Sequence, residues 1–438
     1  MADISLSTAG EAAIVDDRIR GFPAGHAPLT LAEIGHQGWK PYDGGMSLPL
    51  ISLDRAAFAA NADLMMRYVR EHGIAIAPHA KTPMSTALAG QLLEAGAWGV
   101  TVADIRQASV MLKAGFRRLI LANEIGGPAA GRRLASLLTA YPDAELHIFA
   151  DSPDIVTGLA QAWAGRSDLP EIGILIELGA ARGGARSLDQ ATAVLDAVLA
   201  VKDAAIRLSG IAAYEGAAAT ADPVETVTRI ADLMKLTADF YRAVRARVGA
   251  DTPLIVTAGG SVYFDLVVGA LLLALKDDAH ARLVLRSGAI FFHDHGVYER
   301  GLAGLDARSG FTIGGSVVSA AESFRPVLRL WAEVLSRPEP GLAICGMGLR
   351  DVAMDQGLPR PLALYRGGER LGALSGAAVT KLNDQHAFVS FGEGADVAVG
   401  DVMEFGISHP CTCLDRYALI YGLDAAQTVI AVYPTSFG

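Results

Sequence analysis

The feature that most restricts the fold is a regular alternation of short apolar runs with longer alanine-rich segments between about residues 45 and 300. Such alternation is typical of repeated βα units, which place their strands in a parallel sheet. The strand-like runs are residues 74–77, 98–102, 119–123, 146–150, 173–178, 209–214, 254–260 and 283–288. Eight parallel strands close a TIM barrel, so the pattern predicts a (β/α)8 TIM-type barrel.

Helical patterns fill most of the intervals between these runs. Several of them open on Asp or Ser, whose side-chain oxygens cap the free amide groups at a helix start. The predicted helices are residues 54–71, 85–95, 104–114, 151–164, 189–201 and 223–248.

After Gly301 the pattern changes to short apolar runs separated by Gly, Pro and Asp turns. This texture predicts a mainly antiparallel β domain. We therefore divide the chain into an N-terminal extension (1–45), a barrel (46–300) and a C-terminal β domain (301–438). The extension matches no barrel unit and is expected to pack on the β domain or on a partner subunit.

Composition restricts the class of protein further. Of 438 residues, 51% are apolar and the net charge is −10, which favours a globular enzyme and argues against a nucleic-acid partner. The longest apolar run, Leu266–Leu275, is about half the length that spans a bilayer. The N-terminus lacks the pattern of an export signal, and the three cysteines fit a reducing compartment, so we expect a cytoplasmic protein with a small-molecule partner.

Lys81 follows the first predicted strand, in the string IAIAPHAKTPM, with His79 two residues before it. In a barrel the active site lies at the carboxyl ends of the strands. A lysine at the end of a buried strand is expected to be partly desolvated, which favours the neutral amine that forms a Schiff base with an aldehyde. Lys81 is therefore a candidate catalyst.

Other polar residues follow other strands and are expected at the same mouth. Arg182 lies between glycines after the fifth strand, where it contacts a cofactor ring or simply pairs with Glu177. Tyr214 ends the sixth strand, either along a cofactor or as an aromatic plug of the barrel. Barrel loops are polar in any case, so the coincidence of these residues is the evidence.

The segment TAGGSVYFD after the seventh strand contains Gly259, Gly260 and Ser261 and leads into a helix. Backbone amides at a helix start bind phosphate, and the loops after strands seven and eight are the usual phosphate site of the barrel fold. A tight turn is the structural alternative. Together with a reactive lysine, the loop indicates a phosphorylated aldehyde, pyridoxal 5'-phosphate (PLP).

A second group of reactive residues is SHPCTCLD, near the C-terminus. His409 and Cys411 are one residue apart, so on an extended segment both side chains face the same way. Imidazole and thiolate make half of a zinc site, although buried cysteines are usually inert. Cys413 continues that face or packs in the core. The shortage of further ligands favours an open catalytic ion, and the thiolate favours zinc among divalent metals.

Taken together, the motifs resemble the fold-type III PLP enzymes, and in particular the D-serine dehydratase and D-threonine aldolase group with its alanine-racemase-like N-terminal barrel. PHAKTP resembles the Schiff-base lysine motif of that group, and GAARGG resembles its G-x-x-R-x-G strand. AYEG resembles its sixth-strand motif, and TAGGS resembles its phosphate-binding motif. RSGAIFFHDHGVY resembles the strand that follows, and SHPCTCLDRY resembles its C-terminal metal motif. The resemblance covers roughly residues 45 to 425 in the same order.

The resemblance implies that Lys81 holds PLP and is the base at Cα, with Arg182 and Tyr214 around the cofactor. It also implies a phosphate site at Gly259, Gly260 and Ser261, metal ligands at His409 and Cys411, and a homodimer in which the β domain of one chain faces the barrel mouth of the other.

These features predict a D-amino-acid dehydratase that eliminates the β-hydroxyl of D-serine or a related β-hydroxy D-amino acid, giving a 2-oxo acid and ammonia. In this group His-x-Cys is typical of dehydratases and His-x-Asp of aldolases, so Cys411 favours the dehydratase. Retro-aldol cleavage to glycine and an aldehyde is the nearest alternative. A racemase, a non-enzymatic PLP-binding protein and a metal-only hydrolase are the remaining alternatives.

Overall fold

The computed structural model describes residues 12–202, 205–392 and 394–437. Its central element is a sheet of eight strands, in which every neighbouring pair is parallel. The strands are Ala75–Ile76, Val100–Val102, Arg118–Glu124, Glu145–Ala150, Ile172–Leu178, Ile206–Ala213, Leu254–Ala258 and Ala281–Leu285. Each falls on one of the eight predicted runs, and the predicted fold class is confirmed.

The ends of this sheet meet. The first strand pairs with the eighth through Ala75 and Val284. On its other side, the residues around the first strand bond to those of the second: Trp98 N donates to Ile76 O at 2.7 Å, and Ala80 N donates to Thr101 O at 2.8 Å. These bonds close the sheet into a barrel and bring the carboxyl ends of all its strands to one mouth.

One helix precedes the first barrel strand, and the others follow barrel strands. They are Arg55–Glu71, Thr86–Glu94, Ile105–Lys113, Gly127–Leu138, Pro153–Trp163, Leu188–Ala200, Pro223–Val248, Phe264–Leu275 and Val297–Ala307. The expected caps are present at Asp54 and Asp104, whose carboxylates accept from the amides of Ala57 and Gln107. The helix Gly127–Leu138 was not predicted, because its Gly-Pro start is typical of a loop, although proline is favourable in a first helical turn.

The C-terminal part forms a second sheet that is mainly antiparallel. Its strands are Leu50–Asp54, Leu328–Glu339, Leu342–Cys345, Arg360–Arg366, Glu369–Gly372, Ala378–Leu382, Ala387–Ser390, Val402–Gly406, Leu419–Leu423 and Val429–Pro434. Three short helices, two short strand pairs and three 3-10 turns complete the regular structure described here. The helices are Leu31–Ile34, Ala320–Ser323 and Pro410–Cys413, and the strand pairs are Ile14–Val15 with Leu29–Thr30 and Thr312–Ile313 with Ser316–Val317.

Leu50–Asp54 corrects the predicted boundary at residue 46. This strand lies in the C-terminal sheet, where it pairs with Leu328–Glu339 and Leu419–Leu423. An apolar run of this length does not reveal which sheet it joins, since the pairing depends on distant strands. The β domain is therefore built from both ends of the chain.

The described part of the N-terminal extension packs on the β domain. Val15, Phe22 and Leu31 share a buried cluster with Trp331 and Tyr421. This contact covers one side of the C-terminal sheet. No helix in the described residues has both the length and the apolarity needed to cross a membrane.

Asn61 joins the barrel to the segment that enters the β domain. Its buried amide donates to Phe291 O at 3.2 Å and to Arg325 O at 2.8 Å, and its oxygen accepts from Arg325 N at 2.9 Å. We expect Asn61→Ala to lower the free energy of unfolding by roughly 1–3 kcal/mol, because buried backbone groups lose their partners. Urea denaturation measures this change. The exposed Asn383→Ala is the control, and equal midpoints for the two variants would contradict the prediction.

Candidate active site

Lys81 lies in the loop that continues the first barrel strand. The neighbouring backbone is held by the bond from Ala80 N to Thr101 O, and Thr82 is buried. The side chain of Lys81 itself is exposed. The desolvation predicted for Lys81 is therefore wrong for the single chain, because the loop carries the residue past the strand end into the open mouth. Its amine is accessible to a ligand entering the barrel.

His79 lies directly beside this lysine loop. Its Nδ1 accepts from the backbone amide of Lys81 at 3.5 Å. Burial, followed by the positive charges of Lys81 and Arg286, holds the pKa of His79 well below its usual value. The ring is therefore neutral at physiological pH and offers a flat, uncharged surface next to Lys81.

Arg182 and Tyr214 are in contact, as expected for residues that line one mouth. The Arg182 guanidinium lies 4.9 Å from the centre of the Tyr214 ring, and it is 3.9 Å from Glu177 Oε1. The pairing with Glu177 that the sequence left open is thus present. Burial, followed by the charge of Glu215, raises the pKa of Tyr214 and keeps its hydroxyl protonated. Both residues remain available to a cofactor at the mouth.

The loop predicted to bind phosphate already holds a carboxylate. Glu215 is fully buried and accepts from Gly259 N at 2.8 Å, from Ser261 N at 2.9 Å and from Ser261 Oγ at 2.7 Å. Gly259 has φ +72°, a conformation that favours glycine. In this arrangement the amides of Gly259 and Ser261 are not free for a phosphate. Of Gly259, Gly260 and Ser261, only Gly260 has an amide without a protein acceptor within the described residues.

Further amides lie in the loop after the eighth strand. Gly288 approaches His79 so closely that an added Cβ would be 2.5 Å from His79 O. Within the part of the chain that the structure describes, the amides of Gly288 and Ala289 have no protein acceptor. A short 3-10 turn begins at Ala289. Free amides at a turn start are suited to an anionic oxygen, so this loop offers donors in addition to the predicted Gly259, Gly260 and Ser261.

Arg286, which had no assigned role, is the buried cation of the mouth. Its guanidinium donates to Thr257 Oγ1 and to Ala213 O, both at 2.8 Å. Burial, followed by the neighbouring Glu124, raises the pKa of Glu177 above its usual value. Glu124 Oε1 and Glu177 Oε2 are buried and have no hydrogen-bond partner in the described residues. In the sequence, Glu177 and Arg286 are charged residues within the apolar runs of the fifth and eighth predicted strands. This is the signal by which they could have been found.

His409 and Cys411 are adjacent, although the local geometry is not the expected one. The extended segment predicted here is wrong: His409 precedes the short helix Pro410–Cys413, which begins with a proline that favours a helical start. Burial opposes protonation of His409, but hydrogen bonds to Cys411 and Asp355 outweigh it and raise its pKa to about 9.

The His409–Cys411 pair reaches the lysine loop of its own chain. Thr82 Oγ1 and Cys411 Sγ are 3.1 Å apart, and Thr82 is the residue next to Lys81. Cys413 instead is fully buried, and burial raises the pKa of its thiol to about 12, so it is a packing residue. One chain thus brings the thiol and imidazole of the β domain to the mouth of its own barrel.

The residues present fit both predicted groups. An accessible amine, a neutral imidazole, two arginines and the free backbone amides of Gly288 and Ala289 surround a mouth suited to a polar, anionic aldehyde such as PLP. A thiol beside an imidazole is a donor set that zinc prefers. No cluster of three or more His, Cys, Asp and Glu side chains suited to a metal occurs in the described residues. A metal here would therefore retain open positions for solvent or substrate.

A barrel with a lysine at its mouth, next to a β domain that carries a candidate metal-binding pair, is the architecture of a cofactor-dependent enzyme. Two family models match the chain: "Alanine racemase, N-terminal domain" over residues 53–268 and "Putative serine dehydratase domain" over residues 327–423. They cover the barrel and the β domain in the expected order. The chain belongs to the fold-type III PLP enzymes, and PLP is its cofactor.

Curated relatives match most of the chain. D-threonine aldolase of Arthrobacter sp. is 25% identical over 366 residues, which are 82% of this chain and 85% of the relative. D-threo-3-hydroxyaspartate dehydratase of Delftia sp. is 23% identical over 399 residues, 87% and 97% of the two chains. These relatives are PLP-dependent lyases, and the chain is an enzyme of this class.

Solved structures agree on the fold. D-threonine aldolase of Filomicrobium marinum superposes with a TM-score of 0.71 at 23% identity, covering 89% of this chain and 95% of the other. The Delftia dehydratase superposes with a TM-score of 0.65 at 20% identity, covering 90% and 98%. One variant of that dehydratase has alanine in place of a histidine, and a second variant has alanine in place of the cysteine two positions further on. The cysteine variant is described as metal-free.

Proposed function

We propose that this protein is a PLP- and metal-dependent dehydratase of β-hydroxy D-amino acids, such as D-serine or a related compound, which forms a 2-oxo acid and ammonia. The observation that carries the proposal is the contact between Thr82 and Cys411, since it joins the candidate metal pair to the loop of Lys81. A base at Cα and a Lewis acid at the β-hydroxyl are the two groups that this elimination requires.

The spacing of the metal pair supports the dehydratase over other lyases. The histidine and cysteine substituted in the Delftia dehydratase are separated by one residue, as His409 and Cys411 are here. On this shared spacing, the proposal assigns metal binding to His409 and Cys411. The substrate class follows the relatives, whose names specify D-threonine, 3-hydroxy-D-aspartate and D-threo-3-hydroxyaspartate.

In the proposed mechanism, bound PLP withdraws electrons from Cα and stabilises the charge left when its proton is removed. Lys81 Nζ, which is exposed at the mouth, holds the cofactor and then takes this proton. Arg182 and Tyr214 orient the cofactor from one side. A divalent metal on His409 and Cys411 would polarise the β-hydroxyl, which is a poor leaving group without such help. As the β-hydroxyl leaves, taking up a proton to become water, the electrons from Cα would form a Cα–Cβ double bond. The unsaturated amino acid that is released would then add water and split into the 2-oxo acid and ammonia.

Retro-aldol cleavage is the second candidate, because both the Arthrobacter relative and the Filomicrobium structure are D-threonine aldolases. The same metal pair would hold the β-hydroxyl while a base removes its proton and the Cα–Cβ bond breaks. The neutral imidazole of His79, next to Lys81, is the candidate base for this proton.

Product analysis separates the two reactions. With D-serine, D-threonine and D-threo-3-hydroxyaspartate as substrates, and zinc added, we expect equal amounts of ammonia and 2-oxo acid. The L-isomers are the matched controls and should give neither product. Glycine and an aldehyde formed without ammonia would replace the dehydratase by the aldolase.

A homodimer remains part of the proposal. The contact of Cys411 with Thr82 is made within one chain, so a second subunit is not needed to join the metal pair to the lysine loop. A partner would instead cover the mouth, where Lys81 is exposed. Sedimentation of the PLP-loaded protein tests this assembly, and a monomer at all concentrations would contradict it.

A further inference from the structure

Asp355 contacts the candidate metal pair from outside. It lies in the loop between Leu342–Cys345 and Arg360–Arg366. Its Oδ2 is 2.6 Å from His409 Nδ1, and its Oδ1 accepts from Thr412 Oγ1 at 2.9 Å. One carboxylate therefore binds the residues on both sides of Cys411 in the chain.

This double contact fixes the imidazole. With Nδ1 directed at the carboxylate, Nε2 is the nitrogen that His409 has left for a metal. A carboxylate on the outer nitrogen of a metal-binding histidine holds the ring orientation and makes the inner nitrogen more basic. The hydrogen bond from Thr412 fixes the Asp355 carboxylate in turn, and this restricts rotation of the imidazole that the carboxylate contacts.

The segment before His409 is also held by hydrogen bonds to neighbouring segments. Ser408 Oγ donates to Gly357 O at 2.7 Å, which is two residues from Asp355. The backbone of the same segment accepts from Val297 N through Ser408 O at 3.0 Å. The loop of Asp355 and the turn that carries His409 are thus held as one unit. Asp355 therefore bonds to the imidazole and, through Thr412, to the short helix that carries Cys411.

We propose that Asp355 is the positioning residue of the metal site: it orients His409 Nε2 toward a divalent cation shared with Cys411 and raises the affinity for that cation. The inference rests on the proposed function, because it requires His409 and Cys411 to bind the metal. It assigns Asp355 no contact with the metal, the cofactor or the substrate.

A purely structural role predicts a different result. The Asp355 and His409 side chains are 43% and 24% exposed, and an ion pair with this exposure contributes little to stability. Loss of the pair should then leave the melting temperature of the metal-free protein almost unchanged. Loss of an outer carboxylate, in contrast, weakens metal binding by about 10–100-fold. Metal affinity therefore distinguishes positioning from packing.

The test compares zinc binding by the full-length, PLP-loaded protein and its variants, using competition with a chromophoric chelator. We expect Asp355→Ala to weaken zinc binding by about 10–100-fold. Asp355→Asn keeps one acceptor oxygen without the charge and should recover part of the affinity. The control is Asp384→Ala, an exposed aspartate of the same domain that is 3.7 Å from Arg350. It should bind zinc as the parent does. The cofactor absorption of every variant should match that of the parent.

His409→Ala and Cys411→Ala separate the two possible failures. If the parent binds no zinc, or if both ligand variants bind it as tightly as the parent, the metal site of the proposed function is wrong. If the ligand variants lose zinc while Asp355→Ala binds it within about twofold of the parent, the site stands and the positioning role of Asp355 is wrong. A loss in Asp355→Ala accompanied by a large fall in the melting temperature of the metal-free protein would also overturn it, in favour of a folding role.

Discussion

Lys81→Ala is expected to remove the visible absorption band of lysine-bound PLP and to lower turnover by about 10²–10⁴-fold or more, the range that a positioned base contributes. The exposed amine at the barrel mouth is the group that would both hold the cofactor and take the Cα proton, so its loss removes two functions at once. Absorption spectra and steady-state assays with β-hydroxy D-amino acids measure the two effects.

Lys81→Arg is the matched variant, because it keeps the positive charge and length but cannot form the imine. It should lose the band and the turnover as Lys81→Ala does. Lys276→Ala, an exposed lysine after the helix Phe264–Leu275, should retain both. A Lys81→Ala enzyme that keeps the band and normal turnover would end the proposed role of this lysine.

His409→Ala and Cys411→Ala are expected to leave PLP bound while dehydration falls by about 10²-fold or more. The physical reason is that Lewis-acid help at a leaving group is worth several kcal/mol, and each 1.4 kcal/mol is about a factor of ten. A chelator applied to the parent enzyme should give the same loss, and added zinc should reverse it. Assays of 2-oxo acid, together with the cofactor spectrum, measure the outcome.

Cys413→Ala is the matched control for the thiol. Cys413 belongs to the same short helix as Cys411, but its sulfur is buried and lies 3.8 Å from Asp351 O. Its substitution should reduce stability without changing zinc content or the effect of a chelator. Equal loss of activity in the Cys411 and Cys413 variants, or no response to EDTA, would show that the metal role is wrong.

Much of the fold follows from local patterns. The eight barrel strands and the caps at Asp54 and Asp104 were predictable from the sequence. An apolar run and a helix cap each depend on residues that are only a few positions apart in the chain. The strand Leu50–Asp54 was assigned to the wrong domain, since its partners in Leu328–Glu339 and Leu419–Leu423 are distant in sequence. Local pattern identifies a strand but not the sheet that it joins.

The candidate site divides in the same way. Lys81, Arg182, Tyr214 and His409 were nominated from their residue type and their place at strand ends or in short motifs. The sequence did not indicate that buried Glu215 would occupy the amides of Gly259 and Ser261. The two segments have to be folded together before a carboxylate can compete with a phosphate for those amides. Assignment of each residue to a role therefore needed the tertiary contacts.

The sequence by itself determined that this chain forms a barrel with a lysine at its mouth, and that it carries an imidazole and a thiol in the motif of a metal site. Only the tertiary structure decided that Lys81 is exposed, that Thr82 meets Cys411, and that Asp355 holds His409. The physical reason is range. Periodicity and motifs act over a few residues, whereas Thr82 and Cys411 are 329 positions apart and meet only because the β domain packs against the barrel mouth.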